Sequence, residues 1–311
     1  MILYDPALAT VYRDYGILLP ISPSRADKIV GFLRESGALP EVYGIARGIK
    51  RLNLSEPVIT RADVERVHQA DFVSALYEGS AGLETALLEA WELLDEQGRP
   101  NRYEPDRAVK PLKDLFQQVL AQVSGTYIGA RLALACGGFC YYLGGGMHHA
   151  RYDRGTGFCL LNDIMIAARK AQAEHLADRI WVIDVDAHKG CGTAELVRFA
   201  RDRGELGYRR NIWNLSIHMA EGWPLDAATL RGASPDRAPL IEADAEIPIA
   251  GGEEGRYATA LREGLSSLEA RCPAPDLVIV VDGADPYEHD GLPSSGLLRL
   301  SLAQCIERDR L

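Results

Sequence analysis

The sequence predicts an α/β fold: a single doubly wound domain whose central, mainly parallel sheet is flanked by helices. Short apolar, β-branched segments end in polar or glycine-rich turns, and they alternate with segments in which apolar residues recur at helical spacing. No internal repeat and no linker rich in proline, glycine or serine divides the 311 residues. A hydrophobic content of 47% is sufficient for a sizeable core, so the simplest interpretation is one domain over residues 1–311.

Individual elements follow from the same patterns. The segments 180–186, 212–218 and 277–282 are typical of buried strands. Helical spacing of apolar residues predicts helices over 25–36, 110–135, 163–177 and 256–270. The polar stretch 221–245, which contains three prolines, is interpreted either as a long excursion that walls a binding crevice or as an ordinary surface loop.

Composition excludes several classes of function. The 34 Lys and Arg against 44 Asp and Glu give a net charge of −10, so a broad basic field for nucleic acid is absent, whereas a cationic substrate would be attracted. The N-terminus lacks the pattern of a signal peptide, and the mean hydropathy of −0.10 accompanies no apolar run that we expect to span a membrane. Six scattered cysteines without a C-x-x-C pair are typical of reduced thiols. We therefore expect a cytoplasmic protein; the sequence specifies no oligomeric state.

Carboxylates and a histidine end the predicted strand 180–186. Two-residue periodicity places Asp184, Asp186 and His188 on one face if the extended conformation continues. Such a cluster is unfavourable unless a cation or a proton lies within it, so Asp186 and His188 are interpreted as ligands of a divalent metal. Asp285, after strand 277–282, can supply a third ligand and leave coordination positions open, as in catalytic zinc sites. The alternative is that the aspartates cap a helix or form turns and that His188 lies at the surface.

A triple glycine at 144–146 leads into adjacent histidines, His148 and His149. Glycine permits close approach of the backbone. Adjacent histidines near a metal indicate a proton-transfer pair, in which one takes a proton from water and the other is kept charged or tuned by a buried carboxylate. The spacing is not G-x-G-x-x-G, so a dinucleotide site is not favoured. The remaining histidines are interpreted as surface or hydrogen-bonded interior residues: His68, His175, His218 and His289.

Taken together, these motifs resemble the zinc-dependent histone deacetylase family, most closely its class IV-like and bacterial members. The matching segments occur in the family's order and cover nearly the whole chain: 67–72, Gly-Gly-Gly-Met-His-His-Ala at 144–150, Gly-Phe-Cys at 157–159, Asn-Asp at 162–163, Asp-Val-Asp-Ala-His-Lys-Gly at 184–190, Ser-Ile-His at 216–218 and Gly-Ala-Asp-Pro at 283–286, followed by an aspartate at 290. The resemblance implies an arginase-like α/β fold and hydrolysis of an N-acyl amine, typically acyl-lysine.

The resemblance also implies bound ions. Zinc would be held by Asp186, His188 and Asp285, and iron(II) is compatible with the same ligands. A structural potassium is possible as well, with ligands supplied by Asp184, Asp186, His188, Ser216 and Ile217.

For catalysis, the resemblance implies that His149 is the main general base and that His148 is its electrostatic partner, buttressed by Asp184. Gly157 and Phe158 would line the tunnel for the acyl-lysine side chain.

Two positions depart from the family's pattern. Cys191 stands where many members have a second aspartate that orients the base histidine, although the class IV branch also departs there. The family's catalytic tyrosine, in a Gly-Gly-Gly-Tyr segment beyond a stretch like 297–311, has no counterpart in the sequence. We expect either that this C-terminal segment belongs to a longer chain or that the protein forgoes this oxyanion donor, at a cost of about 2.7 to 4 kcal/mol of transition-state stabilisation. Tyr152 and Tyr287 are the candidate substitutes.

Three functions are compared. The leading hypothesis is a zinc-dependent hydrolase that removes an acyl group from acyl-lysine, an acylated polyamine or a small acylamine, with His149 activating water. The alternative is a non-catalytic metal-binding relative that recognises the acylated amine, which Cys191 and the missing tyrosine favour. A binuclear manganese ureohydrolase would require bridging carboxylates, which are not found around His148 or Asp285.

Overall fold

The computed structural model describes residues 1–5, 10–19, 21–22, 25–37, 42–43, 58–202, 211–225 and 240–311. By its internal contacts the chain divides into two compact units, Met1–Leu176 and Ala177–Leu311. Each unit contains parallel strands and helices, which confirms the predicted α/β class. The expectation of a single domain stays a prediction.

The first unit contains a small parallel sheet with the strand order β2-β1-β3. Its strands are β1 (Ile2–Leu3), β2 (Val42–Tyr43) and β3 (Tyr141–Tyr142). The helices of this unit are α1 (Arg25–Glu35), α2 (Arg61–Glu65), α3 (Ala70–Glu78), α4 (Ser80–Ala90), α5 (Leu115–Cys136) and α6 (Asp163–Ala173). Helices α1, α5 and α6 confirm three of the helices that the sequence predicts.

Helix α5 is the longest of these helices and packs against α6. The side of α5 that faces the interior of the first unit is closely packed, and its Val123 and Tyr127 are completely buried. By length and hydropathy, the stretch Leu112–Cys136 could also span a membrane, which the sequence analysis did not expect of any run. Half of that stretch is buried inside the protein, and a core helix passes the same test, so this is weak evidence for a membrane span.

The second unit is built on a parallel sheet with the strand order β6-β5-β4-β7. Its strands are β4 (Ile180–Asp184), β5 (Ile212–Met219), β6 (Ala245–Ile249) and β7 (Leu277–Val281). Its helices are α7 (Cys191–Asp202), α8 (Tyr257–Arg271) and α9 (Leu302–Arg308). The three predicted strands and the predicted helix at 256–270 are confirmed. Most of the predicted loop 221–245 lies outside the described residues.

The register of this sheet brings two strand ends together. Asp184, the last residue of β4, lies opposite Ser216 on β5 and Val281, the last residue of β7. All five residues of β4 are buried, as expected for a central parallel strand with both faces covered. Because β4 and β7 are hydrogen-bonded neighbours that run in the same direction, the segments after them begin side by side. In open α/β sheets this carboxyl edge is where ligands bind.

Candidate metal centre and histidine pair

The chain turns sharply after β4. The strand ends at Asp184, and bends follow at 186–188, so the extended conformation on which the shared face depended does not continue to His188. Two side chains direct the turn: Asp184 Oδ1 accepts a hydrogen bond from the Asp186 N–H at 3.2 Å, and Asp186 Oδ1 accepts one from the His188 N–H at 2.8 Å. Aspartate favours such turns because its short carboxylate reaches the backbone two residues on. The bend, rather than strand periodicity, brings Asp186 and His188 together.

Asp285 completes a cluster of three potential metal ligands. His188 Nδ1 lies 3.2 Å from Asp186 Oδ1 and 2.9 Å from Asp285 Oδ2. One ligand atom from each residue lies within 4.8 Å of the others, and over the described ranges this is the one such group of three His, Cys, Asp or Glu side chains. Asp285 is held in place because its Oδ1 accepts a hydrogen bond from the Ala187 N–H at 3.1 Å. One nitrogen and two carboxylate oxygens suit zinc or iron(II), so the donor set fits the predicted metal.

The negative charge of the two aspartates can be balanced either by a proton on His188 or by a bound cation. Burial lowers the pKa of His188, but the hydrogen bonds and charges of Asp186 and Asp285 outweigh burial and raise that pKa to about 10. Burial and the neighbouring Asp186 charge raise the pKa of Asp285, against the opposing effect of His188. Two carboxylates this close in a largely buried place repel each other unless a positive charge lies between them. A divalent metal supplies that charge when the histidine is neutral.

Two residues that the sequence analysis did not identify contact the other side of His188. Its Nε2 lies 3.2 Å from the Ser294 hydroxyl, and the ring of Trp223 stands edge-on with its centroid 5.9 Å away. If Nδ1 is a metal ligand, Nε2 carries the proton and donates a hydrogen bond to the Ser294 hydroxyl oxygen. Neither contact follows from spacing, since Ser294 lies 106 positions from His188.

The predicted potassium ligands lie along the same strand ends. Asp184 and Ser216 are 2% exposed and directly opposite each other on β4 and β5, and Ile217 is completely buried. Burial of these oxygen-bearing groups at one level of the sheet is compatible with a cation. The potassium itself stays a prediction.

His218 is an interior residue with polar contacts on both ring nitrogens. Its Nδ1 lies 3.2 Å from the Ser216 hydroxyl, and its Nε2 lies 3.2 Å from Glu246 Oε1. The same carboxylate pairs with the buried ammonium of Lys189. The interpretation of His218 as a satisfied interior histidine is therefore supported.

The histidine pair lies in the first unit. His148 and His149 are 3% and 5% exposed, and the centroids of their rings are 3.9 Å apart. The loop that presents them is fastened to Asp163, the first residue of α6, whose carboxylate accepts hydrogen bonds from the N–H groups of Gly146 at 3.0 Å and Met147 at 2.7 Å. Burial raises the pKa of Asp163, although these hydrogen bonds oppose the shift. The histidine pair thus lies in the first unit, and the cluster of Asp186, His188 and Asp285 lies in the second.

The residue before Asp163 supports the same loop. Asn162 caps α6, since its side-chain oxygen accepts a hydrogen bond from the Met165 N–H at 2.9 Å. Its amide group donates to the Ala150 carbonyl at 3.3 Å, directly after the histidine pair. The sequence analysis included Asn-Asp as a motif but assigned it no role; the structure shows that both residues hold the loop 146–150.

Gly157 and Phe158 form a turn with unusual backbone angles. Both residues have positive φ, 58° and 64°. This conformation is strained for a phenylalanine and persists only where surrounding contacts impose it. Here the Phe158 N–H donates to the Ala90 carbonyl at 2.8 Å, and the Arg102 guanidinium lies 5.6 Å from the centroid of its ring. The half-buried ring is held in a defined position, while its role in lining a tunnel stays a prediction.

Three further residues concern the departures from the family's pattern: Cys191, Tyr152 and Tyr287. Cys191 is 3% exposed at the start of α7, immediately after the ligand-bearing bend. Tyr152 and Tyr287 are half-buried. Their proposed replacement of the family's tyrosine stays a prediction.

The fold and the cluster define an α/β protein with three candidate metal ligands, two aspartates and a histidine, at the carboxyl edge of a parallel sheet. The Histone deacetylase domain family matches residues 19–308, which is most of the chain. The chain therefore belongs to the histone deacetylase family.

Several known proteins are similar to this chain. An uncharacterized protein of Picosynechococcus is 31% identical over 81% of this chain and 69% of its own length. Histone deacetylase 2 of Arabidopsis thaliana is 25% identical over 99% of this chain and 68% of its own length. Acetoin utilization protein AcuC of Staphylococcus aureus is 30% identical over 44% of this chain and 32% of its own length.

Among solved structures, the crystal structure of the HDA15 HD domain superposes with a TM-score of 0.61 and 20% identity, and it covers 97% of this chain and 78% of that one. This likeness confirms the arginase/deacetylase type of α/β fold.

Proposed function

We propose that this protein is a metal-dependent hydrolase that removes the acyl group from an N-acylated amine of the acyl-lysine type. The observation that carries the proposal is the convergence of Asp186, His188 and Asp285 at the ends of two adjacent parallel strands. Membership of the histone deacetylase family supports deacetylase-type hydrolysis. We further propose zinc as the metal, with iron(II) as the alternative that the same donors permit.

The metal would polarise the acyl carbonyl and lower the pKa of a water molecule. The protein side chains perform the remaining work. His188, which contacts Ser294, and the two aspartates would hold the metal. We propose that His149 accepts the proton of the attacking water at a ring nitrogen and returns it to the departing amine. His148, whose ring lies tilted against that of His149 with the centroids 3.9 Å apart, would tune the charge of that base. Asp163 would keep both rings in position by holding the loop that carries them.

The charge of the protein supports an amine substrate with positive groups nearby. A net charge of −10 raises the local concentration of cations around the molecule. An acylated lysine side chain is itself neutral, so the attraction would act on flanking lysines and arginines of a peptide or on the free amines of an acylated polyamine. We therefore propose that acyl-lysine in basic peptides and acylated polyamines are the substrate classes to test first.

A second candidate function is recognition of the acylated amine without hydrolysis. The favouring observation is Cys191, a buried thiol where many family members have a carboxylate that orients the base histidine. A thiol is a weak hydrogen-bond acceptor, so the histidine would lose part of its basicity.

Two variants and one control test the proposal. Asp285→Ala should abolish stoichiometric metal binding because it removes one of three ligands. His149→Ala should retain the metal and lower kcat by about 100-fold or more because it removes only the base. His175→Ala, at an exposed histidine, should change neither quantity. Metal content would be measured by elemental analysis, and turnover with acyl-lysine peptides and acylated polyamines.

Each other outcome has a defined meaning. Unchanged metal content in Asp285→Ala would refute the ligand set, and unchanged turnover in His149→Ala would refute the base. A wild-type protein that binds metal and binds an acyl-lysine peptide without turnover would establish the second candidate function instead.

A further inference from the structure

Helix α9 carries a buried arginine, Arg308, that contacts both segments bearing the proposed metal ligands. The side chain of Arg308 is only 5% exposed. Its Nη1 donates to the Gly283 carbonyl at 2.8 Å and to the Val185 carbonyl at 3.4 Å. Its Nη2 pairs with the carboxylate of Asp282, and its Nε donates to Asp309 Oδ1 at 2.7 Å. All three nitrogens of the guanidinium group are therefore used.

The partners of Arg308 belong to both segments that carry metal ligands. Val185 directly precedes Asp186 on the segment after β4. Gly283 lies two residues before Asp285 on the segment after β7. One guanidinium group thus joins the two backbones immediately upstream of the ligands, at a point 123 positions away from Val185 in sequence.

The two segments approach each other so closely that their separation must be controlled. A Cβ atom added at Gly283 would lie 2.4 Å from Asp186 Oδ2 and 2.8 Å from the Asp186 Cα. Only glycine permits this approach, and it supplies no side chain that could hold the segments together. The Ala187 N–H joins the two segments directly through Asp285. Arg308 adds two contacts from outside the segments, one to each backbone.

The chemistry of arginine suits this task. Burial lowers the pKa of Arg308, but the charges and hydrogen bonds of Asp309 and Asp282 outweigh burial, so the guanidinium stays charged. Its planar fork presents donors at fixed angles and can satisfy a carboxylate and two carbonyls at once, whereas the single ammonium of lysine acts as a point charge. A lysine at 308 would keep the charge but lose the bridge.

We propose that Arg308 is a positioning residue of the metal centre, which sets the distance between Asp186 and Asp285 by bridging the backbones of Val185 and Gly283. The inference rests on the proposed metal site. It assigns no contact with substrate and no contact with the metal to Arg308.

The experiment compares Arg308→Lys and Arg308→Gln with wild-type protein. Metal-free samples would first be checked for folding by urea unfolding. Zinc affinity would then be measured by competition with a chromophoric chelator, and ligand geometry by the visible absorption of the cobalt(II)-substituted protein. We expect both variants to fold, to bind zinc about 10- to 100-fold more weakly, as other outer supports of metal ligands do, and to have a shifted cobalt spectrum.

Arg262→Gln is the matched control. Arg262 on α8 pairs with Glu307 on the exposed surface of α9, at 2.9 Å, and touches neither ligand-bearing segment. The control should keep the wild-type zinc affinity and cobalt spectrum. This comparison distinguishes an effect of Arg308 on the proposed metal ligands from a general loosening of α9.

The outcomes separate the proposed function from the positioning role of Arg308. Wild-type protein that binds no divalent metal would refute the proposed function together with this inference. Wild-type binding combined with zinc affinity within twofold and an unchanged cobalt spectrum in Arg308→Lys would refute the inference alone. Failure of both variants to fold would also refute it, because the arginine would then serve the stability of the unit rather than the metal centre.

Discussion

The hydroxyl of Ser294 fixes the ring of His188 from the side opposite the ligand cluster. We predict that Ser294→Ala weakens zinc binding by about 10-fold or more, since the Nε2–H loses its acceptor and the ring loses its orientation. Chelator competition measures the affinity. The protein should fold normally because Ser294 is exposed.

Ser295→Ala provides the control for this prediction. The Ser295 hydroxyl donates to the Leu292 carbonyl at 2.9 Å in the same turn but does not reach His188. Its removal should lower stability by about 1 kcal/mol and leave zinc affinity unchanged. Equal zinc affinities in the two variants would show that Ser294 does not support the histidine.

The convergence of the proposed metal ligands could be predicted from sequence, whereas the residues that contact them could not. Asp186, His188 and Asp285 follow two apolar strand-like segments, and parallel strands bring such positions to one edge. Ser294 and Arg308 lie in segments without a comparable pattern, 106 and 123 positions from the groups that they contact. Their roles depend on tertiary contacts that no local spacing encodes. The supporting role of Asp163 could have been predicted from sequence, because this residue belongs to a recognised motif and begins a predicted helix.

At the junction of α2 and α3, His68 joins the helices to the segment after the histidine pair. Its Nδ1 lies 2.8 Å from the Arg151 carbonyl, and its Nε2 accepts a hydrogen bond from the Asn162 N–H at 3.1 Å. The ring is therefore neutral in the folded protein. Burial lowers its pKa from 6.5 to about 4, against the smaller opposing effect of the hydrogen bond to Arg151.

This shift predicts a loss of stability in acid. Between pH 6.5 and about pH 4 the unfolded chain binds a proton at His68 that the folded chain does not. The contribution of His68 to the free energy of unfolding is therefore fully present above pH 6.5 and is lost as the pH falls toward 4. The decline amounts to about 1.4 kcal/mol per pH unit at most, and to roughly 3 kcal/mol in total. Urea unfolding of the metal-free protein across this range measures it.

His68→Gln should flatten that pH dependence, because glutamine does not titrate. His175→Gln, which changes an exposed histidine, should leave it as in the wild type. Parallel pH profiles for the wild type and His68→Gln would contradict the assignment of the acid sensitivity to His68.

At the level of elements, sequence patterns located β4, β5 and β7 better than they located the ends of those strands, and they did not identify β6. Hydrophobic residues define 180–184 because β4 is buried on both faces. They do not show that Asp184 and Asp186 turn the chain, since an alternating polar pattern fits an extended strand equally well. Helix α7 follows this bend and was not among the predicted helices, although its polar and apolar residues recur at helical spacing.

At the level of the whole molecule, the α/β class followed from alternating strand-like and helical segments, and the structure confirms it. The division into two compact units at Leu176 was not predictable. The sequence around that residue contains no flexible linker, and such divisions arise from the distribution of contacts rather than from composition.

The parallel sheet of the second unit also determines when a metal can bind during folding. Every described strand pair in that sheet is parallel, so hairpins between successive strands do not form it. The pairing of β4 with β7 closes a long loop, and the Ala187 N–H meets Asp285 across 98 positions. Parallel pairings over such separations form slowly because the entropy of closing the loop must be overcome first.

We therefore expect the proposed ligands to meet only after this late closure, so that a bound metal would act on the completed unit. We predict that saturating zinc leaves the refolding rate unchanged and lowers the unfolding rate, with a stabilisation of about 2.7 kcal/mol at 100 times the Kd appearing in unfolding alone. Stopped-flow circular dichroism of wild-type protein and Asp285→Ala, with and without zinc, measures both rates. A refolding rate that rises with zinc would mean that the ligands assemble before the strands. A refolding rate that does not change with zinc would mean that the metal slows the unfolding of the folded protein without taking part in its folding.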